Sequence, residues 1–222
     1  MRRALPSVSR QLLLLLLLPS LSAARADDAG LPPEAKAALE RAVARYGPGA
    51  AYASGFVQTY TPAGFSNARR ESGTVWIQAP QRLRFEYAAP QSKTFTYDAG
   101  EGRFYSPEDK QLTVKKLSPE ERDRLPIAFL SDPGELSRAY AITAEPADGG
   151  FERLLLTPRA KRPELAWLRL TIASDGSLEE LAYEDEGGNR TDFRFGPWRS
   201  EKARPAEDFR VTGPRGTRVV EG

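Results

Sequence analysis

The sequence contains no cysteine and no histidine. Their absence removes Ser-His-Asp and Cys-His nucleophilic machinery, and with it the usual zinc, copper and non-haem iron sites. Disulfides are excluded too, so the fold is stabilised without covalent cross-links. No G-x-x-x-x-G-K-[ST] loop and no strand-linked G-x-G-x-x-G occurs, which leaves nucleotide binding unsupported. Carboxylates are the remaining acid/base candidates. Glu86 lies on the charged side of an alternating run, where a solvated role is expected. Glu184-Asp185-Glu186 lacks the regular ligand spacing of a calcium loop and reads as a hairpin end. Asn189-Arg190-Thr191 matches a glycosylation sequon, a pattern too short to carry weight. Neither catalytic residues nor a cofactor nor a metal is expected.

Long apolar runs are also missing, with one exception. Leu12 to Leu18 is an unbroken leucine run, preceded by Arg2, Arg3 and Arg10 and followed by Pro19 and Ala24-Arg25-Ala26. This is the three-part grammar of a cleaved secretory signal peptide over residues 1–26. A bilayer span needs about 20 apolar residues, so the run is too short to cross. Residues 27–222 are then expected to form a single exported domain.

The leader holds four arginines and no acid. After its removal 28 basic side chains face 30 acidic ones, so a formal charge of +2 becomes −2. The basic character belongs largely to the leader and gives no reason to expect nucleic acid as a partner.

Helix signals are few. Pro32-Pro33 open a segment in which Ala35, Leu39, Ala42, Val43 and Tyr46 share one stripe, and Gly47-Pro48 close it. Ser118-Pro119-Glu120-Glu121 is a capping box with proline at the first helical position. Asp132-Pro133-Gly134-Glu135 repeats that grammar, and Ile127, Phe129 and Leu130 form an apolar knot between the two.

Most of the remainder alternates with period two between turn residues. Leu83, Phe85 and Tyr87 alternate with charges; Phe95 and Tyr97 precede an Asp98-Ala99-Gly100 turn; Leu112 and Val114 follow Pro107. Leu168, Leu170 and Ile172 precede Ser174-Asp175-Gly176, and Thr191, Phe193 and Phe195 follow Gly187-Gly188-Asn189. Counting such runs gives roughly eleven or twelve short strands. The expected class is mainly β (α+β): an antiparallel meander with one wet face, long enough to curl, and helices over its concave side. Trp76, Phe85, Tyr87, Phe95, Tyr97, Phe104, Trp167, Phe193 and Phe195 are read as facing that side. Side chains of this kind either fill a small barrel or line a hollow, and composition leaves both open.

The order of motifs resembles the LolA family of periplasmic lipoprotein carriers. It runs from the N-terminal helix and Gly55-Phe56-Val57-Gln58 through Ser72-Gly73-Thr74-Val75-Trp76-Ile77 to Arg82-Leu83-Arg84-Phe85-Glu86-Tyr87 and Ala88-Ala89-Pro90. Asp98, Gly100 and Gly102 then precede Phe104-Tyr105-Ser106-Pro107. Leu155-Leu156-Thr157-Pro158, Asp175-Gly176, the stretch from Asp185 to Thr191, and a Phe209-Arg210-Val211 strand with Pro214 and Gly216 complete the series.

The resemblance implies an unclosed antiparallel β-barrel of about 11 strands, with a helical lid over an apolar cavity for lipoprotein acyl chains. Each buried acyl CH₂ is worth about 0.8 kcal/mol, so a chain of ~16 carbons resists water by on the order of 12 kcal/mol. Lipid-binding candidates are Val75, Ile77, Leu83, Phe85, Tyr87, Phe95, Tyr97, Phe104, Leu112, Phe129, Leu130, Leu170, Phe193 and Phe195. Implied partners are acylated lipoproteins, an inner-membrane lipoprotein-releasing transporter and an outer-membrane lipoprotein receptor. The protein is expected to act as a monomer. The receptor of similar fold is itself a lipoprotein, and the lack of cysteine after the leader points instead to the soluble carrier. Two alternatives share the fold: an exported fatty-acid or glycolipid-binding protein, and a lipid-sensing regulatory module. One departure stands out. Carriers of the family often have an arginine just before the proline matching Pro80, where it latches the lid; here that residue is Ala79.

Overall fold

A computed structural model describes residues 31–65, 67–125 and 133–222. The expected signal peptide, and Ile127, Phe129 and Leu130, lie outside the described residues.

The proline and glycine punctuation sets the first element. Helix α1 (Pro33–Arg45) has proline at its start and buries Ala35, Ala38, Leu39 and Ala42 along one stripe. Six strands follow as a meander: β1 (Ala51–Thr61), β2 (Arg69–Gln78), β3 (Arg82–Ala89), β4 (Lys93–Asp98), β5 (Glu101–Ser106) and β6 (Gln111–Lys116). Ala99 and Gly100, both at positive φ, form the two-residue turn between β4 and β5 that matches strand twist. Helices α2 (Pro119–Asp123) and α3 (Pro133–Ala139) come next. A second meander comprises β7 (Tyr140–Glu145), β8 (Phe151–Pro158), β9 (Trp167–Ala173), β10 (Leu178–Glu184) and β11 (Arg190–Phe195). The chain ends with β12 (Arg199–Ser200), a 3-10 turn (Ala206–Phe209) and β13 (Arg218–Glu221).

Among the described residues all thirteen strands belong to one sheet in the order β13-β6-β5-β4-β3-β2-β1-β11-β10-β9-β8-β7, with β12 alongside β1. The end strands β13 and β7 do not pair, so the barrel is unclosed, as expected. The β1–β11 ladder joins the two meanders and sets Phe56 opposite Phe195 and Gln58 opposite Phe193.

Both faces are covered in part, which corrects the expectation of one wet face. Behind β2, β3 and β4 runs the C-terminal segment. Gln78 exchanges two hydrogen bonds with the Arg204 backbone, at 3.2 and 2.8 Å. Arg84 donates to the Asp208 carbonyl, Val211 N–H to Thr96 Oγ1, and Arg210 to the buried Asp98 carboxylate. The segment finishes as β13, parallel to β6. Phe209 is buried at the end of the 3-10 turn, so Phe209-Arg210-Val211 is not the strand that was expected. Trp76 and Trp167 also lie on the outer face, not the inner one. Trp76 is paired across the ladder with Arg84 and covered by Arg204 at 4.4 Å; Trp167 lies beneath Arg169 and Arg190.

The inner face carries the core. On the β7–β10 side it is solid: Leu154, Leu156, Leu168, Leu170 and Leu181 are fully buried in one cluster with α1. Gly176 (φ +82) permits the close approach of α1, since a Cβ there would stand 2.5 Å from the Arg41 carbonyl oxygen. Arg41 and Arg45 pair with Glu152 and Asp175 at 2.6 and 2.9 Å. Tyr46, at the end of α1, accepts from Leu178 N–H, while Trp198 Nε1 donates to the Leu178 carbonyl at 2.7 Å. Those two bonds satisfy the backbone where β9 and β10 slip register.

Candidate functional site

At the other end of the inner face the packing gives way to a cavity of about 260 Å³. Phe85, Tyr87, Phe95 and Phe193 form its apolar walls, with Gln58 and Tyr183 between them and Leu117, Glu121, Arg124 and Leu125 above. The strand register explains the wall. Phe85 pairs directly with Phe95, and Val75 with Phe85, so alternate residues of β2, β3 and β4 face the same way. Phe56 meets its neighbours edge to face, 4.9 Å from Phe85 and 5.0 Å from Tyr87, while Phe85 lies tilted 5.6 Å from Phe193. Gly73, opposite both Phe56 and Tyr87, has no room for a side chain, because a Cβ would fall 1.9 Å from the Glu86 carbonyl oxygen.

The cavity has one polar corner. Tyr87 donates to Gln58 Oε1 at 2.7 Å. Burial first, then the nearby Glu71 carboxylate, raises the Tyr87 pKa far above the ordinary phenol value, so the phenol stays protonated and donating. Lys93 stands 4.5 Å over the Tyr87 ring while its ammonium pairs with Glu71 at 2.6 Å.

Residues 117–125 cross over this cavity. Ser118 caps α2 as its sequence requires: its Oγ accepts from Glu121 N–H at 3.2 Å, and Glu121 accepts from Ser118 N–H at 3.0 Å. Lys115 donates to the other Glu121 oxygen at 2.7 Å. The Lys115 bond, followed by the Ser118 backbone, holds the Glu121 carboxyl below the usual carboxylate range. At its far end α2 is tied by Asp123, which accepts from Tyr140 Oη at 2.8 Å and from Arg162 at 2.5 Å. Burial, then the bond to Asp123, raises the Tyr140 pKa far above its ordinary value.

Of the fourteen candidates, Phe85, Tyr87, Phe95 and Phe193 line the cavity. Val75, Ile77, Leu83, Tyr97, Leu170 and Phe195 share the inner face but are packed in the buried cluster. Phe104 shares that face through its pairing with Phe95 and stays exposed. Leu112 is a correction. Its partners are Tyr105 and Val219, and Phe104 pairs with Thr113, so Leu112 points to the outer face. Phe129 and Leu130 lie outside the described residues. Ala79 is buried beyond the end of β2, its N–H bonded to the Ala50 carbonyl. Sequence reasoning missed Gln58 and Tyr183, polar residues on inward positions, and Leu117 and Leu125, the leucines bracketing the capping box. Among the described residues no cluster of carboxylates has the makings of a metal site, and no helix is long and apolar enough to cross a membrane.

An open sheet thus bounds an aromatic cavity beneath a short helix. The family model for "Outer membrane lipoprotein carrier protein LolA" matches residues 50–212. An outer-membrane lipoprotein carrier protein of Xanthomonas campestris is 30% identical over 167 residues, covering 74% of this chain and 79% of its own. One from Pseudomonas fluorescens is 29% identical over 151 residues, covering 68% and 72%. The chain belongs to the LolA family of outer-membrane lipoprotein carrier proteins. The fold is shared with an uncharacterised conserved protein of Thermus thermophilus, with a TM-score of 0.55 at 14% identity over 85% of this chain and 99% of that one. A crystal structure of MucB gives 0.51 at 14% identity over 82% and 64%.

Proposed function

We propose that this protein carries lipoproteins through the periplasm, with their acyl chains held against the aromatic inner face under α2. In this reading it takes cargo from an inner-membrane releasing transporter and gives it to an outer-membrane receptor, without chemical change to either. The observation that carries the reading is the cavity bounded by Phe85, Tyr87, Phe95 and Phe193, which lies within the family-matched span. Its volume of about 260 Å³ falls just under the roughly 300–1,000 Å³ of common ligand sites. Full loading therefore calls for movement of the segment above it.

Transfer decides the matter. The processed chain, mixed with inner-membrane vesicles bearing a lipoprotein and its releasing machinery, should bring that lipoprotein into the soluble fraction as a one-to-one complex. The same cargo without acyl chains should not bind. Equal binding of acylated and unacylated cargo sinks the reading.

A further inference from the structure

The cavity shares Leu117, Glu121 and Arg124 with a second, larger hollow of about 650 Å³. One wall of this groove is the end of β6 with α2; the other is the connection between β8 and β9. The two spaces touch but differ in chemistry. Aromatic rings line the first, whereas Lys115, Lys116, Arg124, Lys161 and Arg162 face the second.

Three of these cations already hold a carboxylate. Lys115 pairs with Glu121 at 2.7 Å, Lys161 with Glu186 at 3.2 Å, and Arg162 with Asp123. Lys116 and Arg124 form no ion pair among the described residues, and Arg124 reaches Glu121 only through space. The basic lining contrasts with a chain whose acidic residues outnumber its basic ones once the leader is set aside. Cations gathered in a groove repel one another and raise the local concentration of anions. A phosphate oxygen there gains charge-assisted hydrogen bonds, roughly twice as strong as neutral ones. Two carboxylates line the groove, Glu121, which Lys115 holds, and Glu164 on the far wall; Asp185 also acts on Arg124 through space.

An apolar hollow joined to a basic one at Arg124 fits a molecule with an acyl chain at one end and an anionic phosphate at the other. We propose that the groove binds the phosphate of an anionic phospholipid whose acyl chain enters the cavity. The inference rests on the acyl-carrier reading and deepens it: the protein takes up membrane lipid as well as, or in exchange for, acylated cargo. Lys116 and Arg124 are the binding residues, and the paired cations supply the surrounding field.

Calorimetric titration of the processed chain tests this with dioctanoylphosphatidylglycerol, with dioctanoylglycerol, which lacks the phosphate, and with inorganic phosphate. The phosphatidylglycerol should bind roughly tenfold more tightly than dioctanoylglycerol, the worth of one good charge-assisted bond. Lys116→Gln, at a residue that lines the groove and not the cavity, should weaken that preference while dioctanoylglycerol affinity is kept, and adding Arg124→Gln should erase it. About 1 M salt should erase it in the unaltered protein too, since the Debye length is then about 3 Å. Glu164→Gln should strengthen it. Equal affinity of the unaltered protein for both lipids overturns the phosphate site and leaves the acyl cavity standing. Binding of neither lipid overturns both. Inorganic phosphate bound as tightly as the phospholipid makes the groove a free-anion site and overturns the lipid assignment.

Discussion

The phenol of Tyr140 donates to the Asp123 carboxylate at 2.8 Å, which fastens the helix above the cavity to an edge strand of the sheet. Arg162 donates to the same carboxylate oxygen, so one acid joins α2, β7 and the connection between β8 and β9. Before Pro80 this chain has a buried alanine, and the three-residue tie lies on the opposite meander. Tyr140→Phe keeps the ring and removes the bond. Loss of one such bond costs about 1 kcal/mol. Amide exchange over residues 118–125 should quicken and loading of an apolar fluorescent probe should accelerate, with Tm lowered by roughly 2–4 °C. Unchanged exchange in that segment rules out the tie as a constraint on α2.

Acid should loosen the other end of the helix. Glu121 is held below its ordinary carboxyl pKa of 4.5, first by Lys115 and then by the Ser118 backbone. A depressed carboxyl stabilises the folded form fully above its unfolded pKa and loses that contribution as pH falls through the lowered value. The capping interaction should thus persist above the ordinary carboxyl pKa and fade only as pH falls below it. NMR titration of the Ser118 and Glu121 amides should have its midpoint under 4.5, and Glu121→Gln should abolish the transition. A midpoint above 4.5 contradicts this.

Cavity and core should respond differently to a charge. Phe95 is half-buried on the cavity wall, while Leu170 is fully buried in the cluster that includes α1. Phe95→Glu should abolish binding of the apolar probe with circular dichroism intact, and Leu170→Glu should unfold the protein, since an unpaired buried charge is among the costliest substitutions. Unfolding by Phe95→Glu means that the wall is packed core after all.

Gly176→Ala probes how α1 is seated. The new Cβ meets the Arg41 carbonyl and the backbone stays at positive φ, so a loss of roughly 1–3 kcal/mol is expected. Thermal unfolding should register it, while probe affinity of the folded fraction remains unchanged because the cavity lies at the other end of the inner face. A wild-type Tm refutes the close approach.

Local grammar was the most readable part of this chain. The proline and glycine brackets of α1, the Ser118–Glu121 capping box and the Asp98-Ala99-Gly100 turn all act through residues adjacent in sequence. Facing was harder to read. Alternation tells which residues share a side, and it misleads once both sides are covered. Leu112 and Trp76 are apolar because the outer face carries its own C-terminal cover, which no nearby residue announces. Strict parity would have separated Trp76 from Val75 and Ile77. Phe209 has strand-like character, yet Pro205 precedes it and its segment crosses the sheet instead of joining it. Gln58 gives no apolar signal, although it lies two residues from Phe56 on the same side of the sheet.

The β1–β11 ladder has a consequence for how the chain reaches its structure. Within each meander no connection between neighbouring strands exceeds eight residues, whereas Phe56 and Phe195 lie 139 positions apart in sequence. Long-range pairing of this kind slows folding, because loop-closure entropy is lost before the contacts form. A chain emerging from its N-terminus exposes one whole edge of β1, with Phe56 and Gln58, until β11 has appeared. The two halves can ripen separately, but the aromatic wall that they share exists only when the last large piece docks. This long-range step makes binding capacity a late event in folding, and it marks β1 as the edge most open to wrong partners while the chain is incomplete.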